Sequence, residues 1–310
     1  MKPDQKFLML LGTIIFLVII ALVGPLIYVN QAFFMTLVIY LILSSSLNII
    51  YGYTGYLPFG FSVFFAMGAY GFGMGIKFGY GIPFSLLLGP GLSVLLSLVF
   101  LPLFRLRGVF FSIGTLGAFE AVYYFMSNST PVVEHYTGGP LGISLPQVYS
   151  PDETYYIAVA LLILAILVSY HIRQSKLGLA LQAIKNDVLS ASVSGVNVSL
   201  DRNIAWWITA AFAGMAGSLY GWYISFFYPQ AVFDLTFTLF TLVFVIVGGR
   251  GTIIGPVLGT IILFSLYYFI GISYPLYFQA AFGILIVLTV LFIPNGLMDI
   301  IKKKAGVEVI

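Results

Sequence analysis

Long apolar runs dominate this chain, and short polar or glycine- and proline-containing breaks separate them. A helix of about 20 apolar residues crosses the hydrocarbon core of a bilayer, so each run predicts one membrane span. The run at 57–80 is rich in glycine and the run at 235–249 is short, so either is a candidate for a broken or partly re-entrant helix. The pattern predicts about ten spans, give or take one or two, at residues 7–29, 32–51, 57–80, 82–104, 109–126, 154–171, 204–225, 235–249, 253–272 and 276–294.

Composition supports a membrane protein. Of 310 residues, 61% are hydrophobic and only 7% are charged, whereas a soluble domain carries about a quarter charged residues. The mean hydropathy is +1.08. We therefore predict an all-α integral membrane protein, a polytopic helical bundle that forms one transmembrane domain over residues 1–310. The first run is longer than the apolar core of a secretory signal, so we expect a retained first helix.

The inventory of reactive side chains excludes several kinds of site. The chain has no cysteine, which excludes disulfides, thiolate chemistry and cysteine metal sites. Its two histidines, His135 and His171, lie far apart in sequence, and we predict no metal site. No G-x-x-x-x-G-K-[ST] phosphate loop occurs, so this chain cannot cradle ATP by that route, and we predict no cofactor for it. The motifs H-E-x-x-H and G-x-S-x-G are also missing, which leaves a membrane enzyme without a catalytic constellation.

Charge placement indicates the orientation, because short cytoplasmic loops carry an excess of Lys and Arg. Segment 127–153 has acidic residues but no Lys or Arg, and we predict that it is an external loop. With ten spans and cytoplasmic termini, Lys77 alone falls on the unexpected side. The basic residues that decide this are Lys2, Lys6, Arg105, Arg107, Arg173, Lys176, Lys185, Arg202, Arg250, Lys302, Lys303 and Lys304.

Residues 172–203, between the sixth and seventh predicted spans, form a more polar segment that predicts a cytoplasmic loop. Gly195 and Asn197 are typical of residues that end a helix. Two interpretations of this pattern are open: an amphipathic helix resting on lipid headgroups, or a helix that docks into a cytoplasmic partner. The apolar residues recur at helical spacing and share one face: Leu177, Leu181, Ile184, Val188 and Ala191.

Small residues at four-residue spacing predict close helix contacts, since helices in lipid associate where their backbones can approach. Gly251, Gly255 and Gly259 form one such row, and Ala213, Gly217 and Gly221 form another. Static packing is the simpler interpretation, and an interface that slides or rocks during transport is the alternative.

Two further features are candidates for a transport path. The stretch GYTGYLPFG at 52–60 carries three glycines and a proline at a span entrance, and broken helices of this kind often line such paths. We therefore take Thr54, Gly55 and Gly60 as candidate path residues. Glu120 lies deep in the fifth predicted span, where a charge is costly. Its carboxyl group either bonds a neighbouring helix or meets an ammonium group of a substrate.

Five stretches resemble the permease subunits of ATP-binding cassette importers, in particular the branched-chain amino acid permeases of the LivM type. In the loop stretch, Ser190 and Ala191 precede Gly195 by the spacing at which the family usually has two alanines before its glycine. Pro58 and Phe61 depart from the family, which more often has Ser and His there. The stretches are GYTGYLPFGFSVFFAMGAY at 52–70, TGGPLGI at 137–143, AIKNDVLSASVSGVNV at 183–198, VGGRGTIIGPVLG at 247–259 and GILIVLTVLFIPNGL at 283–297.

The resemblance implies an importer-type fold in the cytoplasmic membrane of a prokaryote. The partners it implies are a second, LivH-like permease, two cytoplasmic ATPase subunits and an extracytoplasmic amino-acid-binding protein. It also implies contact with the lipid bilayer and no binding of nucleic acid. The residues it implies for coupling to an ATPase are Leu181, Ile184, Val188, Ser190, Ala191 and Gly195.

Branched-chain amino acids are the substrates that the resemblance implies, and urea, short amides or simple sugars are the alternatives. A secondary carrier working alone is a second class of function. Such carriers usually hold several ionisable groups in their spans, whereas Glu120 is nearly alone here.

Overall fold

The computed structural model describes residues 30–128, 131–273 and 296–299, together with the isolated positions 12, 15, 283, 284 and 287. The predicted spans 7–29 and 276–294 lie outside the continuous described ranges. The described chain is mainly helical. Its helices are α1 (Gln31–Leu47), α2 (Ser62–Lys77), α3 (Ile82–Val99), α4 (Val109–Ser127), α5 (Pro131–Thr137), α6 (Pro151–Gln174), α7 (Lys176–Asn186), α8 (Val188–Val193), α9 (Val198–Ile224), α10 (Pro229–Val232), α11 (Leu235–Gly248) and α12 (Ile254–Ser273).

Shorter elements join these helices. A π-helical turn, Asn48–Gly52, continues α1, and 3₁₀ turns cover Leu101–Arg105, Gly139–Leu141 and Pro146–Val148. Strands β1 (Ile143–Ser144) and β2 (Phe226–Phe227) form a short antiparallel pair. This pair is a small exception to the predicted all-α fold. It ties the predicted external loop to the end of α9.

Six helical segments in the described ranges are long and apolar enough to cross a membrane. This confirms the prediction of a multi-pass helical protein, while the count of ten spans stays a prediction. Helices α2 and α9, which also coincide with predicted spans, fall outside these six because they are shorter or richer in small and aromatic residues. The six segments are Gln31–Gly52, Ile82–Val99, Val109–Ser127, Pro151–Gln174, Pro229–Gly248 and Ile254–Gly271.

Helix α1 lies at the centre of the bundle. It is apolar on all sides, as expected for a helix enclosed by other helices, and nearly all of it is buried. Helices α6, α9, α11 and α12 surround it. Two hydrogen bonds join it to these neighbours: the Ser44 hydroxyl bonds to the Thr260 hydroxyl at 2.6 Å, and the Thr209 hydroxyl donates to the carbonyl oxygen of Ser46 at 3.1 Å. A polar side chain in such a core needs these partners.

Helices α2, α3 and α9 pack closely through glycine and serine. A Cβ added to Gly217 would collide with the carbonyl oxygen of Phe65, and one added to Gly221 would touch Ala69. Serines add bonds between the helices, because the Ser93 hydroxyl donates to the carbonyl oxygen of Phe64 at 2.7 Å. Both contact types are typical of helices that associate in lipid.

Helices α11 and α12 form a second close contact. A Cβ added to Gly255 would meet the backbone of residues 248 and 249, and one added to Gly259 would meet the carbonyl oxygen of Phe244. The predicted row Gly251–Gly255–Gly259 is wrong at its first member. Gly251 precedes α12 and lies in a turn with a φ of +80°. A glycine accommodates this left-handed backbone without steric cost.

Candidate functional site

Helices α7 and α8 form the polar segment at one end of the bundle. The sequence predicts one continuous apolar face there, but the helix breaks at Asp187, whose backbone is extended. The Asp187 carboxylate accepts a hydrogen bond of 2.6 Å from the backbone N–H of Ser190 and so caps α8. Asp is a favoured N-cap residue, which is the signal that periodicity alone overlooks.

The predicted apolar stripe faces inward. Leu181, Ile184 and Ala191 are buried against the chain's own helices, and Val188 is half-buried. In this structure the stripe packs against the chain's own helices, and its direct docking on an ATPase stays a prediction. Periodicity shows that a face is apolar, but it does not show which neighbour covers that face.

The outward surface of α8 carries different apolar side chains. Leu189 is 74% exposed and Val193 is 84% exposed, and Ser190 and Gly195 are exposed beside them. Gly195 has a φ of +87° and lies just after α8, where the N–H of Val196 bonds back to the carbonyl oxygen of Ala191 at 3.1 Å. The helix thus ends at Gly195 as the sequence predicts.

Asn197 has another role than the predicted one. Its side-chain oxygen accepts a hydrogen bond of 3.1 Å from the N–H of Leu200, so Asn197 begins α9 instead of ending α8. The segment from Ser175 to Asn197 is therefore two short capped helices held between α6 and α9.

Asn48 connects the π-helical turn that follows α1 to the glycine-rich turn before α12. Its amide nitrogen donates to the carbonyl oxygen of Thr252, and its amide oxygen accepts from the N–H of Gly251, each at 2.8 Å. The buried Asn48 side chain thus satisfies two backbone groups of the turn, an N–H and a carbonyl, that no helix hydrogen bond satisfies. π-helical turns of this kind occur frequently at functional sites.

Two basic side chains link the α6–α7 region to these turns. The Arg173 guanidinium donates to the carbonyl oxygen of Gly251, and the Lys185 ammonium donates to the carbonyl oxygen of Gly52, each at 2.7 Å. Burial, followed by the positive charges of Arg250 and Arg173, lowers the pKa of Lys185. We call this group, consisting of Asn48, Gly52, Arg173, Lys185 and Gly251, the junction.

A cavity of about 430 Å³ opens beside the junction. Thr54 and Gly55, two of the predicted path residues, line it. The Thr54 hydroxyl donates to the carbonyl oxygen of Ile50 at 2.5 Å, and Gly55 has a φ of +79°. The other lining residues are Tyr51, Tyr56, Leu57, Arg107, Gly108, Val109, Ser112, Ile184, Lys185, Val188 and Arg250.

Arg202 stands next to this cavity and is held by aromatic rings. Its guanidinium lies 4.3 Å from the ring centroid of Phe104 and 5.0 Å from that of Tyr56, and it donates to the Tyr56 hydroxyl at 2.8 Å. Such cation–π contacts stabilise a partly buried positive charge. Sequence reasoning assigns Arg202 only to the orientation of the chain.

The other two predicted path residues lie outside the cavity. Gly60 packs against α4, where a Cβ would collide with the carbonyl oxygen of Thr115. Glu120 lies on α4, half-buried, and has no hydrogen-bond or ion-pair partner among the described residues. Within the same ranges, no group of three His, Cys, Asp or Glu side chains could hold a metal ion.

Comparisons with known proteins identify the family. The sequence profile of the family described as "Branched-chain amino acid transport system / permease component" matches residues 29–293. The chain is 29% identical over 308 aligned positions to the "High-affinity branched-chain amino acid transport system permease protein LivM" of Salmonella typhimurium, covering 86% of this chain and 70% of the relative.

The protein of the same name from Escherichia coli is 28% identical over 302 positions, covering 86% of this chain and 69% of that protein. No solved structure matches the chain. The family match spans well over half of the sequence and confirms the resemblance seen in the five motifs. This multi-pass membrane chain belongs to the family of branched-chain amino acid transport permease components.

Proposed function

We propose that the chain is the transmembrane permease subunit of an ATP-driven importer for leucine, isoleucine and valine. The family and the names of the LivM relatives support the substrate class. Under this proposal ATPase subunits supply the energy, since the sequence itself has no phosphate loop. The observation that carries this proposal is the α7–α8 segment, whose outer surface exposes Leu189 and Val193 and whose inner side is bonded to the bundle.

The contact with the ATPase is made by the outer surface of α8. Leu189 and Val193 are mostly exposed. Burying two such side chains in a partner contributes about 1.5–3 kcal/mol each. Leu181, Ile184, Val188 and Ala191 support this surface from below, while Ser190 and Gly195 border it. The inward bonds of Lys185 and Arg173 then connect movement of the segment to the turns at Gly52 and Gly251.

Orientation follows from the same assignment. The structure gathers Arg107, Lys185 and Arg250 around one cavity, while Glu134, Asp152 and Glu153 belong to the opposite end. We assign the basic end to the cytoplasm, with both termini cytoplasmic and about ten spans. The acidic end then faces the binding protein that delivers the amino acid.

The path itself runs along α4, at the contact with a second permease. Glu120 supports this, because a half-buried carboxylate in an apolar helix, without a partner among the described residues, needs water or a neighbouring subunit. Its carboxylate would meet the ammonium group of the passing amino acid, and Thr54, Gly55 and Gly60 shape the chain between the junction and α2.

The decisive experiment is uptake of radiolabelled leucine into proteoliposomes that contain this chain, the second permease, the ATPases and the binding protein. Uptake should require ATP and should be competed by isoleucine and valine. Uptake of urea or a sugar without competition by leucine would overturn the substrate. Leucine uptake by the chain alone, without ATP, would instead establish a secondary carrier.

The docking surface is tested with Leu189→Asp, which should release the ATPase during purification of the complex. Leu141→Asp is the matched control, since Leu141 is also mostly exposed but lies at the opposite end. Retention of the ATPase by Leu189→Asp would contradict the proposed contact.

A further inference from the structure

The cavity beside the junction has an unusual charge. Arg107, Lys185 and Arg250 all line it, and none of the lining residues is Asp or Glu. The three residues come from the α3–α4 connection, from α7 and from the turn before α12. Arg173 adds a fourth positive charge close to Lys185. Arg107, Lys185 and Arg250 each keep contact with solvent, but like charges gathered around one cavity repel one another, and an anion between them would relieve that repulsion.

The partners of these cations in the described chain leave the charge uncompensated. Lys185 bonds a neutral carbonyl group, and Arg250 reaches the Tyr51 hydroxyl at 3.3 Å with its guanidinium 5.8 Å from the Tyr51 ring centroid. Asp187 feels the charge of Arg107, but its carboxylate caps α8 and does not line the cavity.

The N-terminal end of α4 adds to the positive potential. Gly108, Val109 and Ser112 line the cavity, so the first turn of this 19-residue helix borders it. The first N–H groups of a helix have no partner within the helix, and its dipole favours an anion there. Guanidinium groups bind phosphate oxygens in a forked geometry, which suits Arg107 and Arg250.

We infer that this cavity is a binding site for a phosphate-bearing anion. The anion would sit between Arg107, Lys185 and Arg250 and would neutralise the charge next to the junction. Neither the permease family nor the proposed transport of zwitterionic amino acids requires such a site. Its occupancy would couple the position of α7 to an anion at this end of the protein.

Two sources of phosphate are possible, free phosphate and the headgroup of an anionic phospholipid. The surface next to the cavity favours the lipid. Val109 at the rim is 70% exposed, and Phe110 and Ile113 continue along α4 with exposures of 73% and 57%. These side chains form an apolar strip on which an acyl chain can lie. The cytoplasmic leaflet, to which the proposed orientation assigns this end, carries the anionic lipids.

The test uses the full chain in nonionic detergent and two variants that remove the same charge from one short connection. Arg107→Gln removes a cation from the cavity, and Arg105→Gln removes an exposed one that does not line it. The thermal unfolding midpoint is measured against sodium phosphate, with sodium chloride matching the ionic strength. In a second arm, nanodiscs of phosphatidylcholine with increasing phosphatidylglycerol are used, and retained lipid is counted by native mass spectrometry.

We expect phosphate, phosphatidylglycerol or both to stabilise the wild type and Arg105→Gln alike. Arg107→Gln should need roughly tenfold more ligand, the effect of losing one charge-assisted contact. A response to the lipid alone identifies a headgroup site, and a response to free phosphate identifies a soluble ligand. Arg250→Gln should weaken binding in the same way, and it replaces Arg107→Gln in the test if that variant folds poorly.

Two results would overturn the inference. Equal responses of all three proteins would show general screening of charge instead of a site. No response to either ligand would rule out the anion site, and loss of the ATPase from Arg107→Gln alone would then show that the cations bind an acidic partner protein.

Discussion

The Lys185 ammonium on α7 donates a hydrogen bond of 2.7 Å to the carbonyl oxygen of Gly52, which ends the π-helical turn after α1. The two residues are 133 positions apart in sequence. This bond connects the exposed α7–α8 segment directly to the most buried helix of the bundle. It offers a direct route by which a push on the α7–α8 segment can reach the end of α1.

Lys185→Met should therefore uncouple transport from ATP hydrolysis. The variant keeps the length of the side chain but loses a charge-assisted hydrogen bond worth about 1.5–3 kcal/mol. We expect ATP-driven leucine uptake to fall roughly tenfold while the ATPases still copurify. Lys176→Met is the control, because Lys176 is an exposed lysine of the same helix. Equal uptake by the two variants would remove Lys185 from the coupling route.

Asn48→Ala should lower the stability of the chain. The variant leaves the N–H of Gly251 and the carbonyl oxygen of Thr252 without their buried partner. Each unsatisfied group costs about 1–3 kcal/mol. Ser45→Ala on the same helix is the control, since the buried Ser45 hydroxyl has no hydrogen-bond partner in the described structure. Thermal unfolding in detergent should show a lower midpoint for Asn48→Ala only.

Gly217→Ala should disturb the contact between α9 and α2. The added methyl group would collide with the carbonyl oxygen of Phe65, and backbone cannot move aside as a side chain can. We expect a loss of about 1–3 kcal/mol, the usual cost of overpacking. Gly91→Ala on α3 has open space around it and should be neutral or stabilising by up to about 1 kcal/mol. The free energies of unfolding of the two variants, measured by denaturation under identical conditions, are compared.

Asp187 should make the stability of α8 depend on pH in the acidic range. Hydrogen bonds from Ser190 lower the pKa of Asp187 from its usual value of 3.8. A lowered pKa in the folded state means that the stabilisation is present above pH 3.8 and is lost as the pH falls below it. Hydrogen exchange of the α8 amides should show this loss in the wild type. Asp187→Asn keeps the cap without a titrating group, so its protection should stay constant over the same interval.

Accessibility of single cysteines tests the orientation, and the absence of native cysteine makes the labelling simple. A cysteine at Gln174, exposed at the end of α6, should react only with reagent admitted to the cytoplasm. A cysteine at Ser144, exposed in β1, should react with an impermeant external reagent. Swapped accessibility would reverse the assignment of the basic end.

Most helices of this fold can be predicted from sequence, because a long apolar run in lipid must satisfy its backbone hydrogen bonds by forming a helix. The runs at 109–126 and 253–272 agree with α4 and α12 to within about two residues. The prediction fails where a local hydrogen bond competes with periodicity, as at Asp187. At 57–61 the chain enters α2 without helical structure, which agrees with the broken helix that the glycines and Pro58 indicate there.

The candidate site is harder to predict because its parts are far apart in the chain. Arg107, Lys185 and Arg250 are scattered in the sequence, and only the packing of α1, α4, α7 and α11 brings them to one cavity. The sequence also does not show that Leu181 and Ile184 point inward, toward the chain's own helices. Both a lipid-covered bundle and a partner protein present apolar surfaces, so the same stripe suits either.

The central position of α1 has a consequence for how the chain is made. Ser44 on α1 bonds to Thr260 on α12, and the two are 216 residues apart. At about 5–20 residues per second, synthesis of that interval takes about 10–40 seconds. During this time the hydroxyl of Ser44, which later bonds to another helix, faces lipid or the insertion machinery. The biogenesis of this permease must therefore protect its most central helix until nearly the whole chain has entered the membrane.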